Sequence, residues 1–277
     1  MLLFKKIKDL QIHLSTRTGT IGFVPTMGAL HAGHMSLIAK SKEENEFTVC
    51  SIFVNPLQFN NTNDLQKYPR TLPSDMDLLV SAGCDILFAP DASEMYPDTK
   101  EPELKFEVGA LDSVFEGALR PGHFKGVAIV VHKFFMIVNP SNAYFGLKDY
   151  QQCMLIQKLV ADLKLPVLLH FEATLRENDG LAMSSRNTRL GENGRDKAIR
   201  IYEALQYAQA HYRTQNITML EQRCKSWLDE EPLYRTEYFN IVNAETLLPL
   251  HSLAEPAVAL CAAFVDEVRL IDNLVLN

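Results

Sequence analysis

The stretch Thr20 to Glu44, TIGFVPTMGALHAGHMSLIAKSKEE, changes its hydrophobic period partway along, and that change constrains the fold more than any other feature. Ile21 to Val24 is an apolar run stopped by Pro25; a short loop carries Thr26, Met27 and Gly28; from about Gly33 the spacing becomes helical. Strand, turn and helix in that order open a nucleotide-binding α/β unit. His31 and His34 stand at the junction, so a helix beginning there carries both imidazoles on one face of its first turn. The same turn presents unpaired backbone N–H groups and the positive end of the helix dipole, which suits a phosphate. Two neutral donors beside that field suit the negative charge that spreads over a phosphoryl group in transfer.

The residues alone leave blander readings open. A single histidine near a helix start is commonly just a satisfied polar side chain. Histidines three apart can also chelate zinc, although the general-base glutamate of H-E-x-x-H is absent and Ala32 and Gly33 offer nothing in its place.

A chain of 277 residues has room for one large or two modest domains. With 47% hydrophobic and 22% charged residues it reads as an ordinary soluble protein, and a net charge of -7 argues against a nucleic-acid partner. Cys50, Cys84, Cys153, Cys224 and Cys261 are scattered without a C-x-x-C pair, which fits reduced, mostly buried thiols and a cytoplasmic location. The start, MLLFKKIKDL, reaches Lys5 too soon for a signal-peptide apolar region. Val127 to Val138 is interrupted by His132 and Lys133 and falls short of the ~20 residues that span a bilayer, so it reads as a core helix and no membrane partner is expected.

Elsewhere strands and helices alternate. Lys5 to Ser15 reads as a short amphipathic helix. Thr48 to Val54 is a strand buried on both faces, and it ends at Asn55 and Pro56, placing Asn55, Gln58 and Phe59 at a strand's carboxyl end, where ligands bind in open sheets. Ser74 to Gly83 is a helix with Ser74 as N-cap, Asp85 to Ala89 a strand and Asp91 to Glu107 a surface loop. Phe115 to His123 is a loop leading into a helix from about Phe124 to Val138. Ala143 to Gly146 is a short strand followed directly by Lys148 and Asp149, then come a helix, Tyr150 to Asp162, and a strand, Val167 to Phe171. Five strands joined by helices imply a right-handed parallel sheet.

The polar run Leu175 to Asn187, with Gly180 inside it, reads as hinge and functional loop. Beyond it, Arg195 to His211 and Thr218 to Asp229 read as helices, and Arg235 to Asn243, Ala257 to Val265 and Val268 to Leu276 as strands, the last two joined by a tight hairpin at Asp266 and Glu267. The expected fold is α/β: a Rossmann-like parallel-sheet domain over residues 1–176 and a smaller α+β domain over residues 177–277.

The TMGALHAGH block resembles the HxGH signature of the nucleotidyltransferase superfamily, which includes class I aminoacyl-tRNA synthetases. Four more blocks, FVNPLQF (Phe53 to Phe59), EGALRPGHFKGV (Glu116 to Val127), FGLKDYQQ (Phe145 to Gln152) and RENDGLAMSSRN (Arg176 to Asn187), follow in an order and spacing similar to those of the pantothenate synthetases. The five blocks cover most of the first two thirds of the chain; the C-terminal hundred residues match only in size and element order. Leu147 stands where members of that family usually carry an acid, and HFEATLRE replaces the expected proline-containing turn.

The resemblance implies a ligase that joins pantoate to β-alanine with ATP through a pantoyl adenylate, releasing AMP and pyrophosphate. It implies catalytic roles for His34, His31, Lys148 and Arg186, and ATP contacts from Thr26, Met27, His31, His34, Gly146, Lys148, Asp149, Leu175, Met183, Ser184, Ser185 and Arg186. Pantoate falls to Pro25, Gln58, Gln152, Asn55 and Arg120, and Mg²⁺, held largely by ATP, to Asp75. A homodimer is implied, as is a lid role for residues 177–277, with the MSSRN loop at their start. On the residues alone, Lys148 could be a solvated loop lysine, Asp149 a helix N-cap, Asp75 an acid favoured by a helix N-terminus, and the serine loop a plain turn. A nucleotidyltransferase with a phosphorylated-alcohol acceptor and a regulator that binds nucleotide without turnover remain alternatives.

Overall fold

The structure is a computed structural model that describes residues 1–97 and 103–276. It contains two compact units, Met1–Leu147 with Gln151–Ala173, and Lys148–Tyr150 with Thr174–Asn277.

The first unit runs β1 (Leu2–Phe4), α1 (Ile7–Ser15), β2 (Ile21–Thr26), α2 (Ala32–Glu44), β3 (Phe47–Ile52), α3 (Thr62–Lys67), α4 (Leu72–Ser81), β4 (Ile86–Phe88) and α5 (Ala92–Met95). It continues with α6 (Phe115–Leu119), α7 (His123–Val138), β5 (Asn142–Gly146), α8 (Tyr150–Leu163) and β6 (Leu168–Glu172). The strands form one sheet in the order β1-β4-β3-β2-β5-β6, every pair parallel. This is the α/β class the sequence predicts.

Adjacent residues of β2 show why both faces are apolar. Phe23 packs edge-on against Phe134 of α7, with centroids 5.6 Å apart, and Phe134 also meets Phe53 and Phe88. Val24 joins the cluster with Ile38, Cys50, Leu79, Leu87 and Tyr144. Since strand neighbours point to opposite faces, Phe23 and Val24 root two hydrophobic layers in one central strand. Tyr144 is fully buried, and its hydroxyl donates to Glu44 at 2.8 Å and accepts from Asn45 at 2.7 Å, tying β5 to the end of α2.

Several elements differ from the sequence reading. A sixth strand, β1, is added because LLF pairs with β4, a tertiary contact that three residues cannot announce. β2 runs through Pro25 to Thr26, since pairing with β5 covers only Gly22 and Phe23, so the lost donor falls where only β3 pairs alongside. The N-cap of α4 is Thr71, not Ser74: a proline within the first helical positions favours the earlier start. The expected loops become the short helices α5 and α6, and α7 begins one residue early at His123. Part of the loop expected over Asp91 to Glu107 lies outside the described residues.

The second unit runs α9 (Glu192–Lys197), α10 (Arg200–His211), α11 (Ile217–Asp229), β7 (Tyr234–Asn243), β8 (Ala257–Val265) and β9 (Val268–Val275), with an antiparallel sheet ordered β7-β8-β9. The single helix expected from Arg195 is broken near Ala198 and Ile199. Every second residue of β8, from Ala257 through Ala259, Cys261 and Ala263 to Val265, belongs to the core with Leu205, Leu220 and Leu228 from the helices. Small side chains on that face let α10 and α11 lie close to the sheet. Removing one of those leucine side chains should cost roughly 2–5 kcal/mol. Among the described residues no helix is long and apolar enough to cross a membrane.

Candidate active site

The loop after β2 is built by backbone conformation. Gly28 and Ala29 both have positive φ, 83° and 50°, and the turn they make delivers the chain to His31. Asp75 holds this turn: its carboxylate accepts the N–H of Ala29 at 3.0 Å and of Leu30 at 2.8 Å, and the hydroxyl of Thr71 lies 3.2 Å from both oxygens. The side chain is buried, so two charge-assisted bonds to backbone stabilise a conformation that alanine adopts reluctantly. Asp75 therefore holds the loop, each of its oxygens accepting from a backbone N–H. Among the described residues no group of three or more His, Cys, Asp or Glu could hold a metal ion.

His31 is the N-cap of α2 and His34 its third helical residue. The N–H of His31 donates to Nδ1 of His34 at 3.3 Å, and the ring centroids are 4.1 Å apart. With Nδ1 accepting, the proton of a neutral His34 sits on Nε2, which makes that nitrogen a donor. Thr26 spends its hydroxyl on the Ser51 carbonyl at 2.7 Å and accepts the N–H of Gly28 at 3.2 Å, so it shapes the loop.

The carboxyl end of β3 builds a second group. Asn55 is buried and its amide is fully used: Nδ2 donates to Gln58 Oε1 and the Gly126 carbonyl, both at 3.1 Å. Its Oδ1 accepts the Leu57 N–H at 3.3 Å and the Tyr96 hydroxyl at 2.9 Å. Asn55 is thus a scaffold for Gln58, whose Nε2 is left facing Met27 Sδ at 3.1 Å. Burial pushes the Tyr96 phenol above its ordinary value, keeping it the proton donor of this chain of bonds.

Arg120 reaches the same place indirectly. Its Nη1 lies 3.2 Å from His123 Nε2, and the opposite ring nitrogen donates to the Gln58 carbonyl at 2.8 Å. Glu116 lies 3.7 Å from Arg120. Gln151 is buried against the carbonyls of Leu111 and Val114 and accepts the Glu116 N–H, whereas Gln152, one residue on, is half-buried in the first turn of α8. A Cβ added at Gly146 would meet nothing within 4 Å, so open space adjoins that end of β5.

The second unit carries the remaining candidates. Lys148 Nζ lies 3.9 Å from Asp149, and its side chain is 17% exposed. The Tyr150 hydroxyl donates to the Ala244 carbonyl at 2.7 Å. Leu175 and Met183 flank the antiparallel bridge between Arg176 and Ala182, the Met183 N–H donating to the Leu175 carbonyl at 3.0 Å. Ser184 then accepts the N–H of Arg186 at 3.2 Å and caps a 3₁₀ turn, Ser185–Arg189. Gly180, expected as a hinge, has φ 100° and lies where a Cβ would fall 2.3 Å from the Tyr202 ring. Its carbonyl accepts from Arg176 at 3.1 Å, so the glycine is there for a left-handed turn and a close approach.

The structure thus joins Met27, Asn55 and Gln58 by hydrogen bonds, sets His31 beside His34, and connects Arg120 to Gln58 through His123. Sequence reasoning missed Tyr96, His123 and Gly126 as shapers of the site. His123 and Gly126 were within reach, since both lie in the EGALRPGHFKGV block, but Tyr96 carried no signal of its own.

The model of the family described as pantoate-beta-alanine ligase matches residues 2–275. The chain is similar to a pantothenate synthetase of Cytophaga hutchinsonii, 47% identical with 100% of this chain and 99% of the relative covered, and to one of Thermus thermophilus, 46% identical over 92% of each. A crystal structure of pantothenate synthetase from Thermus thermophilus aligns with TM-score 0.94 at 43% identity, covering 100% of this chain and 99% of that one. A pantoate-beta-alanine ligase from Francisella tularensis, complexed with beta-gamma ATP and beta-alanine, aligns with TM-score 0.83 at 36% identity over 100% and 98%. From its second residue to nearly its last, the chain belongs to the pantoate-beta-alanine ligase family.

Proposed function

We propose that the chain condenses pantoate with β-alanine in two steps driven by ATP. A carboxylate oxygen of pantoate attacks the α-phosphorus, the bond to the bridging oxygen of pyrophosphate breaks, and pantoyl adenylate forms. The free amine of β-alanine then attacks the acyl carbon, the bond from that carbon to the phosphate oxygen breaks, AMP leaves with its electron pair, and the new amide nitrogen gives up a proton to solvent.

The observation that supports this most directly is the His31–His34 pair at the amino end of α2, directly after the central strand β2. A carboxylate needs no general base at neutral pH, so the first step depends on positioning and charge neutralisation. His34 Nε2, His31 and the helix terminus supply donors to the phosphates. Lys148 supplies a cation to the transferring phosphate and the leaving pyrophosphate, and Asp149 accepts from the ribose hydroxyls. Ser184, Ser185 and Arg186 grip the outer phosphates, with Thr26, Met27, Gly146, Leu175 and Met183 lining the nucleotide. Gln58 and Gln152 hold pantoate, with Pro25 beside them, while Asn55 and Arg120 act by fixing Gln58. Mg²⁺ enters with ATP as part of the substrate. The second unit is assigned the role of a lid that keeps water from the acyl adenylate.

ATP–pyrophosphate exchange tests the reading. Exchange that requires pantoate and proceeds without β-alanine is expected. Exchange supported by a phosphorylated alcohol instead would replace it with a nucleotidyltransferase.

A further inference from the structure

Lys148 leaves β5 after two residues, yet Lys148–Tyr150 are packed with the residues of the second unit. The turn is held there at two points. Asn273 on β9 donates its Nδ2 proton to the Lys148 carbonyl at 2.9 Å, and Tyr150 donates to the Ala244 carbonyl at 2.7 Å. Asn273 is buried, and so is its neighbour Asp272.

A single guanidinium fixes that part of β9. Arg176 pairs with Asp272 through two bonds, 2.6 and 3.1 Å, donates to the Asn273 carbonyl at 3.1 Å and to the Gly180 carbonyl at 3.1 Å, and lies 3.9 Å over the Tyr202 ring. The forked geometry makes these bonds directional, and burial makes them resistant to solvent competition. Arg176 therefore ties the strand that holds the Lys148 turn to the hairpin that leads into Met183–Arg186.

We infer that Asn273 is a positioning residue for Lys148, held in place by the buried Arg176–Asp272 ion pair. Fixing the Lys148 carbonyl fixes the peptide plane after it and hence the direction in which a long, flexible side chain leaves the backbone. A cation aimed at a developing charge loses much of its effect when displaced by about 1 Å, and a misplacement of that size can cost ~100-fold. A donor is required at this position because the carbonyl can only accept, and the Asn273 amide supplies it. This inference rests on the proposal that Lys148 meets the transferring phosphate.

The test is a double-mutant cycle on pantoate-dependent ATP–pyrophosphate exchange, using the full chain. Lys148→Ala is expected to lose at least ~100-fold in rate. Asn273→Leu, similar in size but without a donor, is expected to lose ~10-fold or more in kcat, with the pantoate KM within about twofold of wild type. The double variant is expected to match Lys148→Ala within about twofold, because a residue that acts only through Lys148 has nothing left to act on. Losses that multiply in the double variant, or full kcat in Asn273→Leu, would overturn the inference. Wild-type exchange by Lys148→Ala would instead remove the reading beneath it, an outcome distinct from either. If Asn273→Leu fails to fold by circular dichroism, Asn273→Ala carries the same cycle.

Discussion

The N–H of His31 donates to Nδ1 of His34 at 3.3 Å, so the N-cap residue of α2 sets the tautomer of a neutral His34, with its proton on Nε2. His34→Ala should lower adenylation at least ~100-fold. His34→Gln places an amide donor near the Nε2 position and should retain more activity than alanine. Single-turnover formation of the adenylate measures both. Wild-type turnover by His34→Ala would reject the role given to this residue.

Asp75 is expected to behave as a clamp rather than as a metal ligand. Asp75→Ala strips the acceptor from the N–H groups of Ala29 and Leu30, and each buried donor left unmatched costs roughly 1–3 kcal/mol. Thermal melts should show the loss. In Asp75→Asn, activity should fall while the Mg²⁺ concentration that gives half-maximal rate stays put. A large shift in that concentration would restore the metal role.

α7 crosses the segment before Gln58 so closely that a Cβ at Gly126 would fall 2.2 Å from the Leu57 carbonyl oxygen and 2.7 Å from the Gln58 nitrogen. Gly126→Ala must push that backbone aside, at a cost of roughly 1–3 kcal/mol. The pantoate KM should rise several-fold, with a smaller change in the KM for ATP. Steady-state kinetics with each substrate varied in turn decides it. Unchanged pantoate KM would mean that Gln58 does not depend on this contact.

Arg195 bridges Asp179 and Glu177, each at 2.6 Å, across the hairpin that precedes the serine loop. The hydrogen bond from Arg195 holds the Asp179 carboxyl below its ordinary value. A carboxyl lowered on folding contributes stability above its unfolded pKa, and that contribution is lost as pH falls through the lowered folded value. The melting temperature of wild type should therefore drop more steeply than that of Asp179→Asn below about pH 4, the two curves converging in stronger acid. Because the Asp179 side chain is 40% exposed, the difference should be small and shrink with added salt. Parallel curves at all pH values would count against the pairing.

Much of this protein was legible because its elements carry local signals. The switch from an apolar run to a helical period after Pro25 set the strand, turn and helix in order, and the β-branched run Thr48 to Val54 marked a strand buried on both faces. The hairpin of β8 and β9 fell where Asp266 and Glu267 separate two apolar runs. β1 was not legible, because three residues become a strand only when β4 lies beside them. Nor was the start of α4, where Thr71 and a proline outweighed the better-looking Ser74.

The sequence by itself determined the chemistry on offer: two histidines at a helix start, a lysine beyond a strand, hydroxyls and a guanidinium in a polar loop, with the family they resemble. Tertiary structure decided which side chains are claimed by partners within the fold. Asn55 became a scaffold because Tyr96 and Gly126, distant in the chain, use up its amide. Asp75 became a clamp because a turn from another part of the chain presents two N–H groups to it. Residue type and spacing fix what a side chain can donate or accept; only packing brings the partner that claims it, and a buried polar group is held by whichever partner arrives.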